Sequence, residues 1–305
     1  MVLFDGNSQA IEREARLVGQ VTQSKELSGR TPVISAVLFR EDSGSQLYTR
    51  LKREAAERVG IEYRSSEFSL TTDPKVVMAT IAELNADPNV TGIIVQKPWR
   101  RLWLAAQQAK NEGVSATSQE YQQWWHTIMS AVDPAKDVDG LHPQTLAAVQ
   151  AGTWEKEGCV LPATCQAVLC ALEEAKRALN TSDLGKTIII GRSDLLGIPL
   201  EAVLRHQGVS VELIGVKELA ERTESGQLLL DGQVVVSATG QRHVVTGEMV
   251  REGVVLIDVG EPQPDIERAS VEAKAAFLTP VPGGIGPLTV SFLLENAMIL
   301  ASKCR

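Results

Sequence analysis

Residues 45–60 read SQLYTRLKREAAERVG, a run of good helix formers that closes on a glycine. Ser43 and Ser45 are suitable caps for the start of a helix here. Gly60 is suited to end the helix in the left-handed conformation. The stretch therefore predicts an α-helix, and the strands predicted on either side of it place it in an α/β fold.

This predicted helix carries an apolar stripe and, beside it, a phenol and an ammonium group. Leu47, Leu51 and Ala55 recur at every fourth position, and Tyr48 and Lys52 share that spacing one residue round the cylinder. The pair is therefore expected at the margin of a buried face. A lysine there loses part of its hydration, which favours the neutral amine and permits proton transfer near neutral pH. The alternative is a solvated lysine beside a packed tyrosine.

Length and composition predict a two-domain enzyme that acts on small molecules. The chain has 305 residues, of which 44% are apolar and 22% charged, enough for two ordinary cores. Its net charge of -8 argues against general binding to nucleic acid or anionic membranes, since phosphate surfaces attract excess Lys and Arg. The N-terminus lacks a signal pattern, and no stretch approaches the roughly 20 apolar residues of a membrane span. We therefore expect a soluble, cytoplasmic protein.

Cysteines and acids do not predict a metal site. Cys159, Cys165, Cys170 and Cys304 show neither paired CxxC spacing nor disulfide-rich density, so we expect reduced thiols. The loop 133–143 places three aspartates within seven residues, but their spacing is not convincing for an octahedral cation. An aspartate that accepts hydrogen bonds from a ligand is the preferred interpretation.

The first half of the chain alternates predicted strands with predicted helices. The strands are 33–39, 61–68 and 90–96, and the helices are 8–27, 45–60 and 73–85. Such alternation indicates parallel βαβ units. Gln96 closes the third strand, at the edge where open parallel sheets place residues that contact ligands.

Residues 99–132 interrupt this alternation and carry four of the five tryptophans. The segment predicts two helices broken at 113–118. One interpretation is a pair of packing helices, and the other is a lid or a subunit contact built on Trp124 and Trp125.

A second α/β unit begins near Thr153. Its strands are predicted at 187–192, 210–214, 234–240 and 254–260, with a helix at about 198–207. The turn Gly191–Pro199, GRSDLLGIP, has glycine at both ends and exposes backbone N–H groups at the start of that helix, where a pyrophosphate is stabilised. This arrangement predicts a Rossmann-like dinucleotide-binding domain.

The choice of dinucleotide depends on two candidate residues. Arg192 is placed to neutralise a ribose 2′-phosphate and so favours NADP, with NAD possible. The usual mark of NAD is an acid at the end of the second strand, but Glu212 lies inside that strand.

The segment 279–289, TPVPGGIGPLT, holds three prolines and three glycines and leads into an apolar helix predicted at 290–301. Such a fixed loop, poor in side chains, can lie with its backbone against a flat ligand.

Six motifs make the chain similar to the methylenetetrahydrofolate dehydrogenase/cyclohydrolase family. They are SxxYxxxK (Ser45, Tyr48, Lys52), GIxVQ (92–96), KDVDG (136–140), GRSxxxGxP (191–199), IDVG (257–260) and PVPGGxGPxT (280–289). The resemblance runs from Asp5 nearly to the C-terminus.

The resemblance implies a two-domain α/β fold with the folate in a cleft between the domains. A folate-binding catalytic domain is expected at 1–152 plus 279–305, completed by the C-terminal helix. An NAD(P)-binding Rossmann-like domain is expected at 153–278. Relatives suggest a homodimer.

The implied activity oxidises 5,10-methylenetetrahydrofolate to the methenyl form with NAD(P) and hydrolyses the product to 10-formyltetrahydrofolate. Hydride loss creates a cation that a permanently charged neighbour would oppose, whereas a neutral Lys52 would not. By resemblance, Lys52 is the general acid and base, Gln96 holds it, Tyr48 packs on the folate, and Asp139 grips the pterin N–H face.

The remaining site residues also come from the resemblance. The folate wall is expected to include Pro282, Gly283, Gly284 and Pro287 within 280–287. The cofactor is expected to contact Thr164, Gly191, Arg192, Ser193, Leu195, Gly197 and Thr289.

The chain departs from the family pattern in four places, the first being residues 162–165, where the usual PCTP reads PATC. Gln96 is followed by Lys97-Pro98-Trp99-Arg100 and an insertion, which we expect to cap the folate's glutamate tail or extend a dimer contact. Segments 213–217 and 240–242 differ from the usual adenosine-binding motifs. The alternatives are therefore a monofunctional methenyltetrahydrofolate cyclohydrolase, a non-catalytic folate-binding protein with a relic cofactor domain, and an unrelated dehydrogenase of the shikimate or amino-acid type.

Overall fold

The structure, a computed structural model, describes residues 1–110 and 115–303. It divides into two compact units, each assembled from separate parts of the chain. The large-sheet unit comprises Met1–Glu12, Ala148–Trp154 and Leu161–Phe292. The small-sheet unit comprises Arg13–Ala147, Glu155–Val160 and the chain from Leu293 onward.

Helices and strands alternate through both halves of the chain. The first half contains β1 (Val2–Leu3), α1 (Gly6–Ser28), β2 (Val33–Phe39), α2 (Ser43–Val59), β3 (Glu62–Phe68), α3 (Pro74–Ala86), β4 (Val90–Val95), α4 (Arg100–Lys110), α5 (Ser118–Met129), a 3₁₀ helix (Pro134–Lys136) and α6 (Pro143–Ala151). The second half contains α7 (Ala163–Ala178), β5 (Thr187–Ile190), α8 (Gly197–His206), β6 (Val211–Ile214), α9 (Val216–Ser225), β7 (Val234–Ser237), a 3₁₀ helix (Gly247–Met249), β8 (Val254–Asp258), α10 (Arg268–Val271), β9 (Ala275–Leu278) and α11 (Ile285–Lys303).

The small sheet is parallel and has the strand order β3-β2-β4. All seven residues of β2 are buried, as expected of a central strand covered on both faces. In contrast, β3 is an edge strand with exposed positions along its length. The predicted parallel βαβ units are confirmed, and the predicted bounds of β2 match the observed strand.

Helix α2 ends as predicted but buries a different face. Gly60 has a φ of +86°, the left-handed conformation that ends a helix. The side chains of the predicted caps Ser43 and Ser45 lie outside the described residues. Leu47 and Leu51 are 41% and 42% exposed, so the predicted buried stripe is wrong at these two positions, whereas its third member, Ala55, is buried. The buried positions are Thr49, Lys52, Ala55, Ala56 and Val59.

The tryptophan-rich segment forms packing helices. Trp103 and Trp125 are 5% and 4% exposed and belong to the core of the small-sheet unit, against which Trp124 also packs. This packing supports the interpretation as packing helices, and the lid or subunit contact built on Trp124 and Trp125 stays a prediction. Thr117 and Glu120 form a reciprocal capping box at the start of α5, which fixes the second helix. Residues 111–114, which overlap the start of the predicted break at 113–118, lie outside the described residues.

The large sheet is a six-stranded parallel sheet of order β1-β9-β8-β7-β5-β6. In this order, β7, β8 and β9 lie on one side of β5, and β6 lies on its other side. This is the doubly wound arrangement of dinucleotide-binding folds. The predicted Rossmann-like architecture is confirmed. The sequence did not indicate β1 and β9, since both are short and β1 is partly exposed.

The compact units and the predicted domains have different boundaries. Residues 1–12 and 279–292 belong to the large-sheet unit, although they were expected in the catalytic domain. Helix α11 begins at Ile285 rather than at residue 290. This helix is also long and apolar enough to cross a membrane by length and composition, contrary to expectation, but 61% of the apolar window is buried as in a core helix.

We predict that Trp125→Ala destabilises the small-sheet unit by about 3 to 5 kcal/mol, because it removes a large buried side chain. Urea unfolding followed by far-ultraviolet circular dichroism measures the loss. Trp99→Ala is the matched control, since Trp99 is 39% exposed, and a change within about 0.5 kcal/mol is expected. Equal effects of the two substitutions would contradict the core position of Trp125.

Candidate active site

A buried lysine lies at the carboxyl edge of the small sheet. Lys52 is 4% exposed, and its Nζ donates a hydrogen bond to Oε1 of Gln96 at 3.0 Å. Gln96 follows the last residue of β4, and its N–H donates to the carbonyl of Val37 at 2.8 Å. Tyr48 lies one turn before Lys52 and is partly exposed. The structure therefore brings Lys52 and Gln96 together from elements 44 residues apart.

The segment after Gln96 is braced by residues that the family motifs do not include. Tyr121 donates from its hydroxyl to the carbonyl of Pro98 at 2.6 Å. The N–H of Trp99 donates to Oδ2 of Asp42 at 3.1 Å. Lys97 places Nζ 4.9 Å from the centroid of the Trp125 ring, a cation–π contact. The tryptophan-rich insertion thus fixes the direction in which the chain leaves the candidate site.

Asp137 organises the acidic loop from its interior. Its carboxylate accepts hydrogen bonds from the backbone N–H groups of Gly140, Leu141 and His142, and from the hydroxyl of Thr145. Burial raises the pKa of Asp137 to about 6, because the ionised form loses its hydration. Since both oxygens are used within the loop, Asp137 has a structural role.

Asp139 is the acid of this loop that remains available to a ligand. A parallel bridge pairs Ile93 with Asp137, so Asp139 lies two residues further towards the carboxyl edge. Its side chain is partly exposed and makes no hydrogen bond within the described residues. The carbonyl of Val138 accepts from Nδ2 of Asn296 at 2.9 Å, which holds the loop in place.

The three aspartates do not converge on a cation. Asp133 accepts from the N–H of Ala135 and caps the 3₁₀ helix instead. Across residues 1–110 and 115–303, no group of three or more His, Cys, Asp or Glu side chains is arranged to hold a metal ion.

Sequence reasoning missed Tyr63, whose hydroxyl is buried without a hydrogen-bond partner in the described structure. Burial raises the pKa of this phenol above its usual range, and the charge of Asp139 adds to the rise. Arg53 lies over the ring, 5.8 Å from its centroid. No sequence signal distinguished Tyr63, because it lies on an exposed edge strand without motif spacing.

The predicted dinucleotide turn has the close backbone contacts that such a turn requires. A Cβ on Gly191 would stand 2.4 Å from the carbonyl oxygen of Ala238, and a Cβ on Gly197 would stand 1.8 Å from that of Gly191. Helix α8 begins at Gly197 without a side-chain cap. The N–H of Ile198 donates to the carbonyl of Ser193 at 3.0 Å and Pro199 has no N–H, so the N–H of Gly197 is the group at the helix start that faces a ligand. These observations fit a bound pyrophosphate. Ser193 and Leu195 lie in the turn, and Leu195 is 38% exposed.

Arg192 is paired with an acid that sequence reasoning overlooked. Its Nη2 lies 2.9 Å from Oε1 of Glu218, and the N–H of Gly215 donates to Oε2 of the same carboxylate at 3.1 Å. Glu212, considered earlier, is instead paired with Lys186 and Arg222. The missed signal was the spacing of a capping box, since Glu218 lies three residues after Gly215, the glycine that follows β6.

The proline- and glycine-rich segment is shorter than predicted. It ends at Gly284, so Pro287 and Thr289 lie in the first turns of α11. Gly283 has a φ of +94°, and a Cβ on Gly6 would stand 1.8 Å from the carbonyl oxygen of Gly284. This close approach holds the segment firmly. Its predicted contact with folate at Pro282, Gly283, Gly284 and Pro287 stays a prediction.

The two predicted threonines lie at the starts of helices. Thr164 is partly exposed in the first turn of α7. Thr289 is also partly exposed, and its hydroxyl donates to the carbonyl of Ile285 at 3.2 Å. Their predicted contacts with the nicotinamide end stay predictions.

A dinucleotide-binding unit combined with a buried lysine at the edge of a second parallel sheet defines a nucleotide-dependent α/β enzyme. Two sequence models of known domains match the chain. They are the tetrahydrofolate dehydrogenase/cyclohydrolase catalytic domain, over residues 4–113, and the NAD(P)-binding domain of the same family, over residues 162–305. The chain belongs to the tetrahydrofolate dehydrogenase/cyclohydrolase family.

Individual relatives match along their whole length. The chain is 31% identical over 307 residues to the bifunctional protein FolD of Lactobacillus acidophilus, covering 99% of this chain and 97% of the relative. It is 34% identical over 312 residues to the FolD protein of Methanosarcina mazei, covering 99% and 96%.

Solved structures agree with this relationship. The bifunctional dehydrogenase/cyclohydrolase of Campylobacter jejuni superposes with a TM-score of 0.80 at 27% identity, covering 99% of both chains. The Trypanosoma brucei enzyme, solved with NADP and an inhibitor, gives a TM-score of 0.80 at 26% identity, covering 99% of this chain and 97% of that one.

We predict that Asp137→Ala lowers the free energy of unfolding by at least about 3 kcal/mol, because three buried N–H donors lose their acceptor at roughly 1 to 3 kcal/mol each. Urea unfolding measures the change. Asp133→Ala removes a cap that serves one N–H and should cost only about 1 kcal/mol. A smaller effect at Asp137 than at Asp133 would contradict the structural role of the buried acid.

Proposed function

We propose that this chain is a bifunctional enzyme that oxidises 5,10-methylenetetrahydrofolate to 5,10-methenyltetrahydrofolate with NAD(P), and then hydrolyses it to 10-formyltetrahydrofolate. The observation that carries the proposal is the 3.0 Å hydrogen bond between Nζ of the buried Lys52 and Gln96, with Tyr48 one turn away. Membership in the family and the glycine turn at 191–197 support the oxidation step.

The charge created during oxidation explains why the lysine has an amide partner. Gln96 holds the amine through a hydrogen bond at 3.0 Å and, being uncharged, adds no charge of its own to the site. Loss of hydride leaves a positive charge on the folate, and an amide partner neither opposes nor neutralises that charge. When bound, NAD(P) supplies the hydride acceptor.

The hydrolysis step needs a group that both accepts and returns a proton. Lys52 accepts a proton from the attacking water and returns it to the departing ring nitrogen. The second proton of the water leaves the carbinol oxygen as the formyl C=O forms and is released to solvent, so the positive charge of the methenyl cation leaves as H⁺. Within the described residues, Nζ of Lys52 makes one hydrogen bond, so its other hydrogen-bonding positions remain for the reacting groups. Tyr48 packs on the folate ring system, and Asp139 accepts hydrogen bonds from the pterin.

We propose NADP as the cofactor, with NAD also usable. Arg192 supports NADP, since a guanidinium neutralises a 2′-phosphate. Glu218 weakens the preference for NADP over NAD, because its carboxylate already pairs with Arg192 at 2.9 Å and would repel the 2′-phosphate of NADP. A ribose hydroxyl of NAD would instead donate to the carboxylate.

We further propose a cytoplasmic homodimer. Cys159 and Cys165 are free thiols, which supports a reducing compartment. The exposed edge strand β3 offers unpaired backbone groups that a second copy can cover. A monomer in sedimentation analysis would contradict the proposed homodimer. Secretion of the protein would contradict the proposed cytoplasmic location.

We predict that Lys52→Met lowers the rate of methenyltetrahydrofolate hydrolysis at least about 100-fold, because it removes the general acid and base. The loss of methenyl absorbance measures the rate. Arg50→Met on the same helix is the control, since Arg50 is 65% exposed, and it should leave the rate unchanged. Hydrolysis at the normal rate in Lys52→Met would disprove the assignment.

We predict that Glu218→Gln raises the preference for NADP⁺ over NAD⁺ by about tenfold, equivalent to 1.4 kcal/mol, because it frees Arg192 and removes a repelling charge. Arg192→Gln should lower the same preference. The dissociation constants of both cofactors are measured by calorimetry. Glu221→Gln, on the exposed side of α9, is the control, and an unchanged preference in Glu218→Gln would contradict the proposed competition.

A further inference from the structure

An unpartnered carboxylate lies beside the first turn of α11. Glu261 follows the motif Ile257–Gly260 at the carboxyl end of β8 and is partly buried. A Cβ added to Gly286 would stand 2.5 Å from Oε1 of Glu261, so the carboxylate lies against the backbone of that helix start. It accepts no hydrogen bond from any residue that the structure describes.

The neighbouring acids Asp258 and Asp265 accept hydrogen bonds, although Oδ1 of Asp265 is buried without a partner, whereas Glu261 accepts none at either oxygen within the described residues. Asp258 accepts from the N–H groups of Gly260, Asp265 and Ile266. Oδ2 of Asp265 accepts from Ser237 and Thr239. A partly buried carboxylate without donors loses hydration and gains nothing in exchange, which indicates a missing partner. Burial alone raises the pKa of Glu261 to about 7.

The position of Glu261 indicates which kind of partner is missing. Open parallel sheets bind ligands just beyond the carboxyl ends of their strands, and Glu261 lies three residues beyond β8. The facing segment 279–289 contains no titratable side chain, so it offers no ion-pair partner within the protein. A carboxylate in this setting selects a ligand that carries N–H donors or a positive charge.

We propose that Glu261 recognises the nicotinamide end of the cofactor, accepting a hydrogen bond from the carboxamide N–H group and attracting the positively charged oxidised ring. The proposal rests on the proposed function, which assigns the neighbouring Thr289 to the same end. Because the reduced ring is neutral, the ionised carboxylate stabilises only the oxidised form through charge. Glu261 therefore shifts the balance between oxidised and reduced cofactor on the enzyme.

Gly286 permits this arrangement. Any side chain there would displace the carboxylate, since 2.5 Å is shorter than real Cβ contacts. Gly286→Ala therefore moves the charge without removing it, whereas Glu261→Gln removes the charge and keeps the shape. The two substitutions test the position and the charge of the carboxylate separately.

The test measures the affinities of the full chain for NADP⁺ and NADPH between pH 6 and 8.5, by calorimetry and by the fluorescence of the reduced cofactor. The ratio of the oxidised to the reduced affinity is the readout, because titration of the phosphates is common to both forms and cancels. We expect this ratio to rise about tenfold as Glu261 ionises, to stay flat in Glu261→Gln, and to rise less in Gly286→Ala.

Asp258 also titrates in this range, as does Asp137, since burial raises the pKa of each to about 6. A pH dependence that persists in Glu261→Gln would assign the effect to another group, such as Asp258, and overturn the proposal. A flat ratio in the unmodified chain would also overturn it. If neither cofactor form binds, both the proposed oxidation and this inference fail, whereas binding with an unchanged ratio defeats the inference alone. Glu252→Gln, at an exposed position of the same unit, is the control.

Discussion

One hydrogen bond, from Nζ of Lys52 to Oε1 of Gln96, decides where the chemistry of the small-sheet unit takes place. A lysine that is 4% exposed needs a polar partner, since a buried polar group without one costs several kcal/mol. Helix α2 must therefore lie where the end of β4 can reach it. That end is fixed by the pairing of Gln96 with Val37 in the sheet, and a shift of one residue would turn the amide to the other face. The register of three parallel strands is thus a condition for the site.

The sequence predicted elements well where local pattern and burial agree. Strand β2 was predicted with its observed bounds, because seven consecutive apolar or small residues have few alternatives to a buried strand. The predicted burial of Leu47 and Leu51 was wrong because local pattern and burial disagree in α2. The buried face of this helix includes Thr49 and Lys52, which a hydrophobic pattern assigns to solvent. Which face a helix buries depends on its neighbours in space, and periodicity does not contain that information.

The candidate site residues also divide into those that local pattern predicts and those whose role depends on neighbours in space. Motif spacing located Lys52, Gln96 and the glycine turn, since each depends on local backbone geometry or on a strand end. Spacing could not separate Asp137, which holds its own loop together, from Asp139, which leaves its carboxylate available. Spacing also drew attention to Glu212, which has the right distance along the chain but lies inside the predicted strand, and it overlooked Glu218. The partners of Glu212, Lys186 and Arg222, were not visible in the sequence.

The pairing of β1 with β9 has a consequence for how the molecule is made. Val2 and Leu3 complete an edge of the large sheet by pairing with Phe277 and Leu278, so this edge cannot form until the segment that contains β9 has been synthesised. The two units are interleaved along the chain, and any single cut between them removes a segment that one of them requires. Contacts between such distant residues slow folding. The enzyme is therefore expected to mature after translation as one cooperative chain, and its halves are not modules that can be transplanted separately.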